Sequence, residues 1–396
     1  MRAMDYISST NICYLICDIL KTLDAEPVEH GMRVAYMLMK LLECKGGYDE
    51  YEAAEYVFLA MLHDIGAYRR EPSSARVEYD SSEAAGKRHA VYGGLFLKET
   101  SPFGARCDVV LYHHLRYAAL SKLNYEYSRI AMYLNMLEEV DLLYCRDGLE
   151  MDYRSFEDGA GEQYYPEAVL LLLKCIRRDK MLEKLASGEY RQELKKYMEY
   201  VLFTNEEKEN YLKFAMYCIG LQDKKKTAAA IIRSCIADEI AEEMELSGRE
   251  REKLEYASML KDIDNSILKR YFAVQEIPQA AEKDVQRLAD KNNDGIRENR
   301  ALQLQKIIQV ADYIITTVIK EQGESGNLYR KSIINTMEKL AQHRELDAEA
   351  AMSAIRRFGI IEKRVQMETR NYLEMYVNIN NRYKILLEGT LGEYNS

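Results

Sequence analysis

The chain has little proline, no tryptophan and no long apolar run. Five Pro and 20 Gly in 396 residues leave few obligatory breaks, while Leu, Ala, Glu, Lys and Met abound. Because most of these are strong helix formers, the composition predicts a nearly all-α protein. A hydrophobic content of 47% argues against disorder. The length allows two or three domains, each with its own core.

Other absences limit where the protein is located and what it binds. With no signal peptide and no apolar run that could span a bilayer, we expect a cytoplasmic protein without membrane contact. The eight Cys are scattered without CxxC pairs, as in proteins with reduced thiols. A net charge of −10 argues against affinity for long nucleic acids but allows a local basic pocket for a small anionic substrate. The sequence leaves open whether the chain forms a homo-oligomer.

Histidine is also scarce, but its distribution is uneven. Five of the six His lie between residues 30 and 114, one is followed directly by Asp64, and two are adjacent. Imidazole is the commonest protein ligand for metals of the zinc, iron and manganese class, and a carboxylate beside it suits a two-metal hydrolytic site. We therefore predict a metal site formed by His30, His63, Asp64, His89, His113, His114, Glu138 and Asp141.

Helical spacing places most of these residues. A helix opened by Pro27 carries His30, and another is expected to end at Ile65-Gly66, with His63 and Asp64 at its buried end. His89 is expected to begin a further helix.

The second half of the chain resembles a remote copy of the first. Met259-Leu260-Lys261-Asp262-Ile263 matches Met61-Leu62-His63-Asp64-Ile65 except that Lys replaces His. No His lies between residues 115 and 342, so we expect a copy without a multi-His metal site. The predicted parts are an N-terminal helix, a metal-binding domain, a helical linker and a degenerate domain, at residues 1–25, 26–195, 196–225 and 226–396.

Four local patterns, in one order, carry a family resemblance. The first half resembles the HD superfamily of metal-dependent phosphohydrolases and, within it, the HD-GYP phosphodiesterases. The matching segments are His30-Gly-Met-Arg33-Val34-Ala35, His63-Asp64-Ile65-Gly66, Val109 to Arg116 with its double His, and Gly159 to Val169.

The resemblance implies tandem HD-type helical bundles and a set of roles. Two divalent metal ions, iron or manganese given the mixed nitrogen and oxygen donors, would be held by the histidines and acids above. His63 and Asp64 would be catalytic, with Asp64 bridging the ions. Glu138 would be a ligand, and Asp141 a further ligand or an acid that supports one. Arg33, Arg116 and Lys122 would hold substrate phosphates.

Two departures from the family pattern concern the substrate. Ala67 stands where the family usually has a phosphate-binding Lys. The Gly-Tyr-Pro loop that follows the double His is replaced by Ser121-Lys122-Leu123. Cyclic di-GMP is therefore only the family default for the substrate.

Three functions follow as alternatives. The first is a metal-dependent phosphodiesterase for cyclic di-GMP or a related nucleotide, with metal-activated hydroxide attacking phosphorus. The second is a phosphohydrolase for another small phosphoester. The third belongs to a different class: a non-catalytic signalling or scaffold protein whose HD fold binds metal or nucleotide. Metal with turnover would favour an enzyme, and metal without turnover the third alternative.

Overall fold

The computed structural model confirms an all-α protein over the residues that it describes. Apart from a backbone bridge between Ala160 and Tyr164, these residues form no β-structure. No helix among them combines the length and the apolar character needed to cross a bilayer. The described residues are 7–69, 83–123, 125–271, 295–320 and 326–393.

The chain forms two compact units. The N-terminal unit contains Ser9–Phe214 and also the chain from Val377 onward, and the C-terminal unit contains Ala215–Tyr376. These units are defined by contacts in space, and the four-part division of the sequence stays a prediction.

In the part of the chain that the structure describes, four connections between helices of the N-terminal unit contain 3₁₀ turns. Helix α12 continues into the C-terminal unit. The helices are α1 (Ser9–Leu23), α2 (Glu26–Lys45), α3 (Glu50–Met61), α4 (Glu83–Thr100), α5 (Asp108–Tyr112), α6 (Tyr117–Leu120), α7 (Ser128–Asp147), α8 (Arg154–Asp158), α9 (Pro166–Asp179), α10 (Met181–Ser187), α11 (Tyr190–Tyr197) and α12 (Asn205–Ile219).

Fewer and longer helices form the C-terminal unit. The last helix is shared between the units, because its residues from Val377 onward belong to the N-terminal unit. The helices are α13 (Lys224–Glu243), α14 (Gly248–Leu260), α15 (Asn265–Tyr271), α16 (Gly295–Lys320), α17 (Gly326–Gln342) and α18 (Ala348–Glu393).

Helix α2 is the centre of the N-terminal unit. Pro27 lies in its first turn and Gly46 ends it with a positive φ, as expected for residues that start and stop helices. Val34, Leu38 and Leu41 on α2 are fully buried. Helix α2 contacts α3, α7, α9 and α11, so the residues on its buried face reach several other helices.

The connection after α3 differs from the predicted continuous helix. Asp49 caps the start of helix α3, because its side chain accepts from Tyr51 N and Glu52 N, and the helix ends at Met61 rather than at Gly66. The segment His63–Tyr68 then forms a separate 3₁₀ helix. His63 and Asp64 therefore lie in a tight turn that follows the helix.

Helix α4 also differs from its prediction, because it begins at Glu83 and not at His89. Glu and Ala are strong helix formers, and the chain around Gly86 stays helical although Gly is a weak one. His89 is therefore an interior residue of the helix.

The C-terminal unit has a core of its own. Buried Ile240, Leu254, Val310, Met337 and Phe358 come from its five longest helices and belong to one hydrophobic cluster. Ser247 and Glu250 form a reciprocal capping box at the start of α14.

Candidate metal centre

The five clustered histidines converge in the N-terminal unit. His30 lies on α2, His89 on α4 and Glu138 on α7. The His63-Asp64 pair occupies the turn after α3, and His113-His114 follows α5. Imidazole centroids lie 5.0 Å apart for His30 and His63, 5.2 Å for His63 and His113, and 4.7 Å for His89 and His114.

Two glycines allow this convergence because they let backbones meet. A Cβ at Gly31 would lie 2.6 Å from the Met61 carbonyl oxygen, so α2 could not approach the end of α3 this closely with a larger residue. A Cβ at Gly66 would lie 2.0 Å from the His89 carbonyl oxygen. Gly66 thus lets the His63–Tyr68 turn lie directly on α4.

The nitrogen and oxygen atoms form two groups that share one carboxylate. One group is His89, His113, His114 and Glu138, and the other is His30, His63, Asp64 and Glu138. Within each group, one potential ligand atom from every residue lies within 4.8 Å of the others. These are the only such groups among the described residues, and both have the nitrogen and oxygen donors that divalent transition metals accept.

Two carboxylates lie between the histidines. Glu138 Oε1 is 2.9 Å from His63 Nε2 and 3.1 Å from His113 Nε2, and Oε2 is 3.2 Å from His114 Nδ1. Asp64 Oδ1 is 2.9 Å from His89 Nε2. Asp64 also lies near His30, with 3.6 Å between Oδ2 and Nε2. Either carboxylate spans both groups of nitrogen atoms.

Backbone and carboxylate acceptors orient three of the imidazoles. Nδ1 of His63 donates to the Ala60 carbonyl at 2.7 Å, and Nδ1 of His113 donates to the Val110 carbonyl at 2.6 Å. Nδ1 of His30 donates to Asp141 Oδ2 at 2.7 Å. Since Nδ1 carries a proton in each case, Nε2 is the nitrogen through which these rings could bind a metal.

Asp141 supports His30 from outside the two groups. Its carboxylate also accepts two hydrogen bonds from Arg33, Nε to Oδ1 at 2.7 Å and an Nη to Oδ2 at 2.8 Å. Such bidentate pairing fixes the carboxylate firmly. Arg33, expected to contact substrate, is therefore bound to Asp141 in the structure.

The unsatisfied atoms of the cluster fit metal ions. His63 Nε2, His113 Nε2 and Asp64 Oδ1 are buried, and their short contacts within the cluster lack the geometry of hydrogen bonds. Buried polar atoms are otherwise nearly always hydrogen-bonded, so three orphans in one cluster require an explanation. A cation between them would satisfy all three, and the donor set is suitable for one.

Burial and opposite charges shift the pKa values in the cluster. Burial disfavours the cation of His63, but Asp64 and Glu138 outweigh it and raise the pKa of this imidazole to about 9. At Asp64, burial is outweighed by His63 and His89, which hold the carboxyl pKa far below its ordinary value. Burial lowers the pKa of His114 to about 3 despite the nearby Glu138. Positive charge beside the two buried carboxylates therefore stabilises the centre.

The remaining predicted substrate residues lie on the surface. Arg116 and Lys122 are both exposed, on either side of the short helix α6. Ser121-Lys122-Leu123, which replaces the Gly-Tyr-Pro loop, directly follows this helix. The start of helix α6 is hydrogen-bonded to the Gly159–Val169 segment, because Tyr117 N donates to the Gln163 carbonyl at 3.0 Å.

The C-terminal unit keeps a counterpart of the Arg33–Asp141 pair. Nε of Arg233 donates to Asp312 Oδ1 at 2.6 Å, and an Nη donates to Asp262 Oδ2 at 3.1 Å. Lys261, at the position of His63 in the repeated motif, also pairs with Asp312. Fixed cations therefore lie beside the two acids of this unit, in place of imidazoles.

Sequence reasoning missed a cluster that joins α4 to the end of α18. The Arg69 guanidinium carbon lies 4.5 Å from the Tyr92 ring centroid and 4.4 Å from that of Tyr383. An Nη of Arg69 also donates to Asn380 Oδ1 at 3.4 Å. Arg69 lies three residues after Gly66, which could have pointed to a role for it near the histidines. No feature of the sequence around Tyr383 indicated that this residue contacts Arg69.

Comparisons with known proteins show the fold of the chain. No family model matches it, and no curated protein matches it. A solved structure, the crystal structure of a cyclic GMP-AMP specific phosphodiesterase of V. cholerae (V-cGAP3), matches with a TM-score of 0.51 at 15% identity. The match covers 88% of this chain and 97% of that one. The two proteins therefore share an overall fold along most of their length.

Proposed function

We propose that the N-terminal unit is a metal-dependent phosphodiesterase that hydrolyses a cyclic dinucleotide. The observation that carries this proposal is the pair of four-residue ligand groups that share Glu138. The structural neighbour described as specific for cyclic GMP-AMP supports a substrate of this class. Cyclic di-GMP and cyclic GMP-AMP are the first substrates to test.

Two divalent ions, iron or manganese, would occupy the two groups. His89, His113 and His114 would hold one, and His30, His63 and Asp64 the other, with Glu138 between them. Bound ions would supply the Lewis acidity that phosphoester hydrolysis at neutral pH requires. The protein contributes rigid ligands, because the Nδ1 contacts of His30, His63 and His113 fix the direction of each imidazole.

The predicted basic residues would bind the substrate or position a metal ligand. Arg116 and Lys122 are exposed cations near the double His in sequence, and we assign them to the phosphate groups that are not cleaved. Arg33 would act through Asp141, as a positioning residue. Ala67 offers no charge where a Lys is expected, so phosphate binding would depend more on the ions.

A paired substitution tests the proposal. We expect the purified chain to bind close to two metal ions and to hydrolyse a cyclic dinucleotide. Replacing His63→Ala together with Asp64→Ala removes ligands from the centre and should abolish both metal binding and turnover. The matched control is Lys261→Ala with Asp262→Ala, the same motif in the C-terminal unit, which should change neither. Turnover that survives in the first variant would contradict the proposal.

A second function is favoured by the Arg33–Asp141 pair. Because Arg33 is used inside the protein and Ala67 carries no charge, few cations are left for substrate phosphates. A non-catalytic protein that binds metal or nucleotide would fit this arrangement. Stoichiometric metal without turnover of a panel of cyclic and linear dinucleotides would favour this function.

A further inference from the structure

A hollow beside His114 adjoins the metal centre. It is walled by α4, by the double-His segment and by the end of α18, all within the N-terminal unit. No Asp, Glu, Lys or Arg lines it in the part of the chain that the structure describes. The side chains that define it are Val91, Leu111, Tyr112, His114, Leu115 and Leu386.

The hollow lies on the accessible side of the centre. The side chains of His89 and His114 are 22% and 25% exposed, whereas those of His63 and His113 are completely buried. A phosphoester must therefore approach past His89 and His114. The group attached to the phosphate is then adjacent to the hollow, because His114 belongs to both.

Contacts on α4 hold the end of α18 in place next to the hollow. The ring of Tyr383 meets that of Tyr92 edge to face at 5.9 Å, and Arg69 packs against both rings. An Nη of Arg382 pairs with Glu99 at 2.7 Å. Tyr383 lies about one helical turn before Leu386, so the position of Leu386 is fixed by these contacts.

We infer that this hollow binds one nucleobase of the substrate and that Leu386 is a specificity-determining residue. The inference rests on the proposed function and adds to it the site of base recognition. A nucleobase is flat and uncharged, and it stacks on aromatic faces such as Tyr112 and His114. A second phosphate or another ion would be poorly matched, because burying a charge without a partner is costly.

The test compares two phosphodiesters on the metal-loaded full chain. One is a cyclic dinucleotide, and the other is glycerophosphoglycerol, which has no base, with both followed by ³¹P NMR. We expect Leu386→Ala to lower kcat/KM for the dinucleotide roughly 10-fold and to leave glycerophosphoglycerol hydrolysis and metal content unchanged. Leu386→Trp, which fills the hollow, should also affect the dinucleotide alone.

Ile385→Ala is the matched control, because this neighbour is 67% exposed and does not line the hollow. It should change neither rate. Equal losses for both substrates in the Leu386 variants, or no loss for the dinucleotide, would overturn the base site while leaving the hydrolase intact. If the wild-type chain turns over neither substrate, the proposed function fails and the base site fails with it.

Discussion

At the scale of single residues, Asp141 links the orientation of His30 to the charge of Arg33. Its Oδ2 accepts from His30 Nδ1, and both of its oxygens accept from Arg33. Partners of this kind keep a metal-ligating imidazole in one tautomer and direction. We expect Asp141→Ala to weaken metal binding by about 10-fold to 100-fold, measured by titration with manganese.

Asp312→Ala provides the control for this substitution. It removes the matching Arg233–Asp312 pair from a unit in which the structure describes no ligand group. Both variants should lose stability, because each removes a carboxylate that pairs with an arginine, but only Asp141→Ala should lose metal affinity. Equal metal affinity in the two variants would rule out the orienting role of Asp141.

At the scale of elements, the His63–Tyr68 turn must touch α4 for the two ligand groups to form. A Cβ at Gly66 would meet the His89 carbonyl oxygen at 2.0 Å and the Gly93 nitrogen at 2.7 Å. Both are backbone atoms, so the turn and the helix would have to separate. We expect Gly66→Ala to lower the free energy of unfolding by about 1–3 kcal/mol and to reduce metal content, as followed by denaturant unfolding and metal analysis.

Gly248→Ala is a suitable comparison for Gly66→Ala. An added Cβ at Gly248 meets nothing within 4 Å, and the residue begins α14 without a positive φ. Its stability should change little, or rise slightly because alanine restricts the unfolded chain. If Gly66→Ala behaved like Gly248→Ala, the close approach of the turn to α4 would not be needed for the centre.

The sequence predicted the helices better than the contacts between helices. Helical composition and periodic apolar residues are local properties, so α2 and α7 could be anticipated from their own segments. The end of α3 was placed too late, because propensity does not distinguish an α-helix from the 3₁₀ turn at His63. The contact of Leu386 with the hollow had no local signal, since it depends on the path of α18.

The same limit applies inside the candidate centre. The histidines could be grouped by their order and by family resemblance, but the sequence assigned Arg33 to the substrate. Only distances show that Arg33 pairs with Asp141. Likewise, a bridging role for Asp64 stays a prediction, and the geometry adds Glu138 as a second carboxylate that contacts both groups.

At the scale of the whole molecule, the corresponding acids of the two units have different partners. In the C-terminal unit, Asp262 and Asp312 lie beside Arg233 and Lys261, which are part of the chain. In the N-terminal unit, Asp64 and Glu138 lie beside imidazoles, whose lone pairs suit an added cation. Metal binding should therefore stabilise one unit and not the other.

Hydrogen exchange with and without a chelator measures this difference in the intact chain. A metal present at 100 times its Kd stabilises the unit that binds it by about 2.7 kcal/mol, or about 100-fold in an opening equilibrium. After metal removal, we expect amides of α2 and α3 to exchange up to about 100-fold faster. Amides of α13 and α14 should keep their rates. Equal acceleration in both pairs of helices would mean that the fixed cations of the C-terminal unit do not make it independent of metal. Unchanged rates in α2 and α3 would instead show that the imidazole cluster gains no stability from a bound ion.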